Sequence, residues 1–313
     1  MPVLDELRAF PLVLGGVAFG SAADTRESFA ILDAFRAAGG RHLDTADLFA
    51  APLAGYVGGE SETVIGRWLA ARRCRNDVVL ATKVGIRPGH DGLPAATVRA
   101  SVEASLRRLR TDRIDLLYLH VDEPEIPVAE FLVAVDSLLR DGLVGHLGAA
   151  DITGARLEES LATAEHGGLA PYVVVQPPFS LVRQQYFDAG LREVVSRRRI
   201  GVLAREPLHT PVFSTANSAV PASVGLSAAI ARSYRRAGYV RGTAVVDELQ
   251  AIAQERGVHL GAIALAWVRT RDAVLAPVNS VRTVEQLEVL LASVGVTLSC
   301  AEIERLDTAA RRP

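Results

Sequence analysis

Cysteine is almost missing from this chain. Cys74 and Cys300 are too few and too separate for a disulfide framework, and Cys74, in the basic stretch ARRCRND, reads as a free thiol at a helix end. An excess of one charge sign is missing too. The 34 Lys and Arg against 36 Asp and Glu leave a net charge of -2, which gives no reason to expect nucleic acid or an anionic membrane as partner. No apolar run reaches membrane-spanning length. The opening residues, MPVLDELRAF, lack the charged and apolar regions of a signal peptide, so a cytoplasmic protein is expected. Low-complexity tracts and charge blocks are also absent, and no domain boundary is visible.

What the chain has is apolar residues, 49% of 313, ample for one sizeable core. This length suggests two domains by simple division, but α/β barrels reach it as a single one. Short apolar runs alternate with amphipathic stretches. The runs at 12–20, 42–46, 78–85, 114–121, 143–150, 172–176, 200–204 and 273–278 lack polar alternation, as strands covered on both faces do. Between them, TRESFAILDAFRAAGG offers Thr25 as a helix cap and stops at Gly39-Gly40, and PAATVRASVEASLRRL, PVAEFLVAVDSLLRDG and TGARLEESLATAEHGG repeat the pattern. Eight strands, each followed by a helical segment, describe a single-domain (β/α)8 barrel. Residues 208–240 break the regularity as a long Ser-, Pro-, Ala- and Gly-containing loop after the seventh strand, expected beside the mouth.

Barrels of this kind carry their chemistry where the strands end, at the C-terminal rim. Strand two ends at Asp44, strand three at Lys83 and strand four at His120. Asp151 follows strand five, Gln176 ends strand six, Arg205 and Glu206 follow strand seven, and strand eight leads to Asn279 and Ser280. Loops commonly begin with polar residues, and that accounts for some of these. Asp44 and Lys83 stand among apolar or small neighbours on adjacent strands. A buried charge needs a partner, so an Asp44–Lys83 ion pair is expected.

These residues now carry a family likeness. LDTAD, GGESETVIGRWL, VVLATKVG, IDLLYLH, GLVGHLGAAD, VVVQPPFSLVRQ and VRTVEQLE resemble the aldo-keto reductases in that family's order, from Leu14 to Leu290. The resemblance implies hydride transfer from NADPH to a small-molecule aldehyde or ketone, without metal. It implies a tetrad of Asp, Tyr, Lys and His, in which Asp44 holds Lys83, the lysine acidifies a tyrosine and His120 orients the carbonyl. The tyrosine belongs five residues after Asp44. Here that residue is Phe49, so the ring survives and the proton does not.

The cofactor positions implied by the resemblance depart as well. The family's Ser-Asn pair is Ala150-Asp151, and a carboxylate accepts from an amide but cannot donate. Gln176 matches the nicotinamide contact. Arg205 stands where an aromatic often stacks, and its guanidinium can stack too. NSVR, Asn279 to Arg282, replaces the Pro-Gly-x-Arg run with which the family grips the phosphate; Arg282 survives to pair with a phosphate, and Ser280, in the glycine's place, is a further candidate cofactor contact. Val289-Leu290 replace the adenine-side pair, and LHTPVFSTANS carries no glycine before Gly225. Tyr56, in the same loop as Phe49, offers a substitute phenol or a plain lid tyrosine. Three function classes follow. The first is an NADPH-dependent carbonyl reductase, acting on a substrate such as a ketosugar or polyketide-like intermediate, whose proton comes from His120 or Lys83. The second is a non-redox acid/base enzyme (dehydratase, epimerase or cyclase) built on Asp44, Lys83 and His120. The third is a silent binding barrel.

Overall fold

Eight parallel strands close on themselves in chain order in the computed structural model, which describes residues 4, 5, 7, 10–51, 53–208 and 239–311. They are β1 (Val13–Gly15), β2 (His42–Asp44), β3 (Val79–Val84), β4 (Ile114–Val121), β5 (Val144–Asp151), β6 (Tyr172–Val175), β7 (Gly201–Arg205) and β8 (Val274–Ser280). Each pairs with its sequence neighbours, and β1 pairs with both β2 and β8, which completes the ring. Among the described residues, the helices covering the outside are α1 (Thr25–Ala37), α2 (Glu60–Arg72), α3 (Ala95–Leu109), α4 (Val128–Arg140), α5 (Gly154–Gly167), α6 (Ala189–Arg198), α7 (Tyr239–Arg256), α8 (Leu260–Arg269), α9 (Val284–Val294) and α10 (Cys300–Arg311). None of the described helices is long and apolar enough to cross a membrane.

The period of two along a strand divides the apolar residues into two cores. Val13, Val79, Ala81, Leu116, Tyr118, Val174, Leu203, Ala276 and Val278 fill the inside of the ring. Their alternates, such as Leu14, Leu80, Leu117 and Val202, pack outward against the helices. One step further along each inward row, two residues on, stand Gly15, Lys83, His120, Gln176, Arg205 and Ser280. The same alternation that fills the barrel thus aims polar groups into its mouth.

The expected strand one is too long. Its pairing stops at Gly15, and residues 16–22 turn instead, with Phe19 N–H bonded to Gly16 and Gly20 at a φ of +73°. Strand two likewise stops at Asp44. Thr25 is not the cap of α1. Asp24 takes that place, its carboxylate accepting from Glu27 N–H at 2.8 Å, so Thr25 is the first helical residue. A two-residue antiparallel ladder, Ile86–Arg87 with His90–Asp91, follows β3. The loop expected at 208–240 lies, from 209 to 238, outside the described residues.

Candidate active site

Lys83 reaches the inside of the barrel because β3 is buried along its whole length and residues 79, 81 and 83 share its inner side. Its ammonium donates to Asp44 Oδ1 and, at 3.1 Å, to the Thr45 carbonyl. The expected ion pair is therefore present, with side chains only 2% and 3% exposed. Asp44 is held from the other side by Gln176, whose Nε2 donates to Oδ2 at 2.8 Å. Burial lowers Lys83 below its ordinary value, against the upward pull of Asp44. Two of the three ammonium hydrogens are engaged. Phe49 and Tyr118 present their rings to the amine at 5.4 and 5.3 Å.

The β2 loop is tied down locally. Thr45 N–H bonds to Ala81, Asp47 N–H bonds to Lys83, and the Thr45 and Ser61 hydroxyls meet at 2.8 Å, joining the loop to the start of α2. Ala50, next to Phe49, has a φ of +76°, and Glu206, next to Arg205, one of +54°. Three of the other non-glycine residues with positive φ, Arg73, Arg110 and Arg199, merely cap helices. Backbone strain of this kind concentrates at functional sites, and here it flanks the mouth on two sides.

His120 stands two residues beyond Tyr118 on the same inner row. Its Nδ1 is buried without a hydrogen-bond partner. Burial first, then the charges of Lys83 and Arg205, hold the imidazole down at about 3. A neutral imidazole donates one hydrogen bond and accepts another, but it is not an acid store near neutrality. Across the ring, Asp151 lies one residue past the inward position and pairs with Arg205, which also reaches Glu206 at 2.9 Å. Glu206 in turn pairs with Arg183, whose guanidinium lies 4.5 Å over Tyr186. This network is half-exposed, with Asp151 52% accessible.

The remaining expected residues divide. Ser280 packs its hydroxyl against Gly15, where a Cβ would come within 2.4 Å of it. Arg282 sits just before α9, its N–H bonded to Gln286 and its guanidinium without an ion pair among the described residues. Helix α9 begins with its Thr283 cap and with Val284 N–H donating to Glu27. Among the described residues no hydrogen bond joins the Tyr56 phenol to Lys83 or His120. Tyr118 is absent from the sequence-derived set, although its spacing of two from His120 puts it on the same face. Its ring fills the space opposite Gly148, where a Cβ would come within 2.6 Å of it.

Besides the Tyr118 hydroxyl deeper inside the ring, the buried polar atoms His120 Nδ1, Gln176 Oε1 and Arg205 Nε, all without partners, belong to inward residues of this one mouth. Buried polar groups are ordinarily satisfied, so such a cluster calls for a polar ligand. With the unpaired Arg282 guanidinium near α9 for a phosphate, the set fits a dinucleotide in outline. Asp151 fits it less well, because its carboxylate already holds Arg205.

Comparison with known proteins bears on the family and the fold. The family model described as "Aldo/keto reductase family" matches residues 11–311. A norsolorinic acid reductase of Emericella nidulans is 32% identical over 97% of this chain and 79% of its own length. One from Aspergillus flavus is 29% identical over 97% of this chain and 78% of its own. A putative aryl-alcohol dehydrogenase of Saccharomyces cerevisiae is 27% identical over 96% and 83%. Among solved structures, a thermostable aldo-keto reductase crystallised with the inhibitor epalrestat superposes with a TM-score of 0.74, at 24% identity over 95% of this chain and 94% of that one.

Proposed function

The chain belongs to the aldo/keto reductase family, and from that premise we propose that it is an NADPH-dependent carbonyl reductase in which Lys83 gives the proton that a tyrosine gives elsewhere. One observation carries the reading. At the family's tyrosine position the Phe49 ring faces an ammonium that, among the described residues, donates to two acceptors and keeps one N–H uncommitted.

Gln176, Arg205, Ser280 and Arg282 are the residues that would hold the cofactor, with Asp151 accepting from its carboxamide. Held there, the cofactor's nicotinamide would supply the hydride for the carbonyl carbon. The protein's own part is proton delivery and positioning. His120, neutral throughout the physiological range, donates a hydrogen bond that orients the carbonyl oxygen rather than protonating it. Lys83 places a positive charge and a transferable proton at the oxygen where negative charge develops, the point at which electrostatic help is worth most. Asp44 stabilises the ammonium before the transfer and keeps the amine aimed afterwards. Because burial lowers Lys83, its proton is easier to give up than that of a surface lysine. The substrate is a small ketone or aldehyde.

A second reading, proton transfer beside a carbonyl without hydride, draws on the Asp151–Arg205 pair, which engages the carboxylate assigned to the cofactor's amide. Titration with NADPH, followed by cofactor fluorescence and by turnover of a simple aldehyde, separates the two. Saturable binding with turnover is expected. No binding at millimolar cofactor would leave the non-redox reading.

A further inference from the structure

One buried phenol does lie beside the ion pair, and neither the sequence reading nor the reaction described above uses it. Tyr118 is directly across from Lys83 in the β3–β4 register. It is fully buried, and Gly148 on the next strand leaves room for its ring. Its hydroxyl has no hydrogen-bond partner, and neither does Gln176 Oε1. The two belong together chemically. The Asp44 carboxylate only accepts, so Gln176 turns Nε2 toward it, which leaves Oε1 as a buried acceptor in need of a donor. The Tyr118 hydroxyl is a buried donor equally without a partner. The Tyr118 ring and Val174, two residues before Gln176 on the same inner row, both border the space at Gly148, so phenol and amide line one stretch of the barrel interior, with neither atom hydrogen-bonded.

We propose that Tyr118 is a positioning residue that works through Gln176: its hydroxyl donates to Gln176 Oε1, locks the amide onto Asp44, and so sets how much of the carboxylate's charge is left for Lys83. It is not a substitute acid. Burial and the charge of Asp44 push its phenol well above the ordinary value, so it stays protonated and acts as a fixed dipole. Its ring also lies against the ammonium at 5.3 Å, a contact that Phe in its place retains. The effect on turnover rests on the reading of Lys83 as the acid, but the effect on Lys83 itself does not.

A property of the sequence makes this measurable. Lys83 is the only lysine among the 34 basic residues of the chain. Isotope-labelled lysine therefore gives a single side-chain signal in the intact protein, and its pH titration reads Lys83 without cofactor, substrate or turnover. Tyr118→Phe keeps the ring and removes only the hydroxyl. With Gln176 released, Asp44 concentrates its charge on the amine, and the Lys83 midpoint is expected to rise by roughly one pH unit, tenfold in proton affinity. Gln176→Leu should raise it similarly, and adding Tyr118→Phe to Gln176→Leu should move it no further. A Tyr118→Phe titration superimposable on that of the parent protein overturns the proposal and reserves Oε1 for the cofactor. Equal shifts from Tyr118→Phe with and without Gln176 overturn the route through the amide. Failure of NADPH to bind would sink the reductase reading and leave this titration standing.

Discussion

Two acid–base pairs sit at the same rim, and depth separates them. Asp44–Lys83 is 3% and 2% exposed, while Asp151–Arg205 is 52% and 25% exposed. At the rim, solvent screens the pair and such contacts contribute about 0–1 kcal/mol. At the floor, desolvation is large, each partner is stabilised mainly by the other, and removal of one leaves a buried charge. The floor pair is therefore the one whose protonation the fold can tune, and the rim pair is the one a ligand can displace. Asp47 supplies a third case. It is just as buried but has no hydrogen-bond partner on either carboxylate oxygen, and burial and the charge of Glu62 push it up to about 7 against Arg108 and Arg87.

The sharpest way to break this contrast is Lys83→Met. Turnover should fall by about 10³-fold, within the range for general acid catalysis, and stability by roughly 3–5 kcal/mol, because Asp44 is left buried and unpaired. Adding Asp44→Asn should recover most of the melting temperature and none of the rate. A melting temperature unchanged by Lys83→Met would remove the distinction between floor and rim.

Phe49→Tyr comes next. It restores a phenol 5.4 Å from the amine and is expected to raise aldehyde turnover by up to ~10²-fold. In the parent protein, activity should be lost as pH rises through the lowered Lys83 midpoint, since the protonated amine is the acid. If the rate with NADPH bound is unchanged by Phe49→Tyr, another group already supplies all the proton help needed.

Asp47→Asn tests burial without a partner. The folded chain keeps a proton up to about pH 7 that the unfolded chain gives up near 3.8, so stability falls as pH rises between those values. The substitution should stabilise the protein above about pH 7, by at most about 4 kcal/mol, and do nothing near about pH 4. Melting curves at the two pH values decide it, and equal gains at both would contradict the titration.

The smallest stability effect belongs to the rim. Arg205→Ala should change stability by less than about 1 kcal/mol, and that change should vanish in high salt. NADPH affinity should weaken a few-fold through loss of the flat guanidinium. Unaltered cofactor affinity would take Arg205 out of the binding set.

Much of this was legible before any coordinates. The strand runs, their order and the polar residue ending each run lie in local sequence, and a period of two then decides which residues face inward. That rule finds Lys83, His120, Gln176 and Arg205, and it would have found Tyr118. It fails where a turn competes, as at Gly16–Gly20, and where a better cap stands one residue earlier, as at Asp24. It also says nothing about Tyr56, whose position depends on how a fifteen-residue loop folds rather than on any repeat.

The sequence by itself determined the barrel, the acid and amine on adjacent strands, and the loss of the phenol at Phe49, because residue type and spacing are properties of short segments. Only the tertiary structure decided that Gln176 turns its amide to Asp44 across 132 residues of chain, that Arg205 takes the carboxylate of Asp151, and that Tyr118 lies under the lysine. Those are choices among partners for buried polar groups. Such groups must be satisfied by whatever closure of the ring brings near, and that is set by the whole sheet at once.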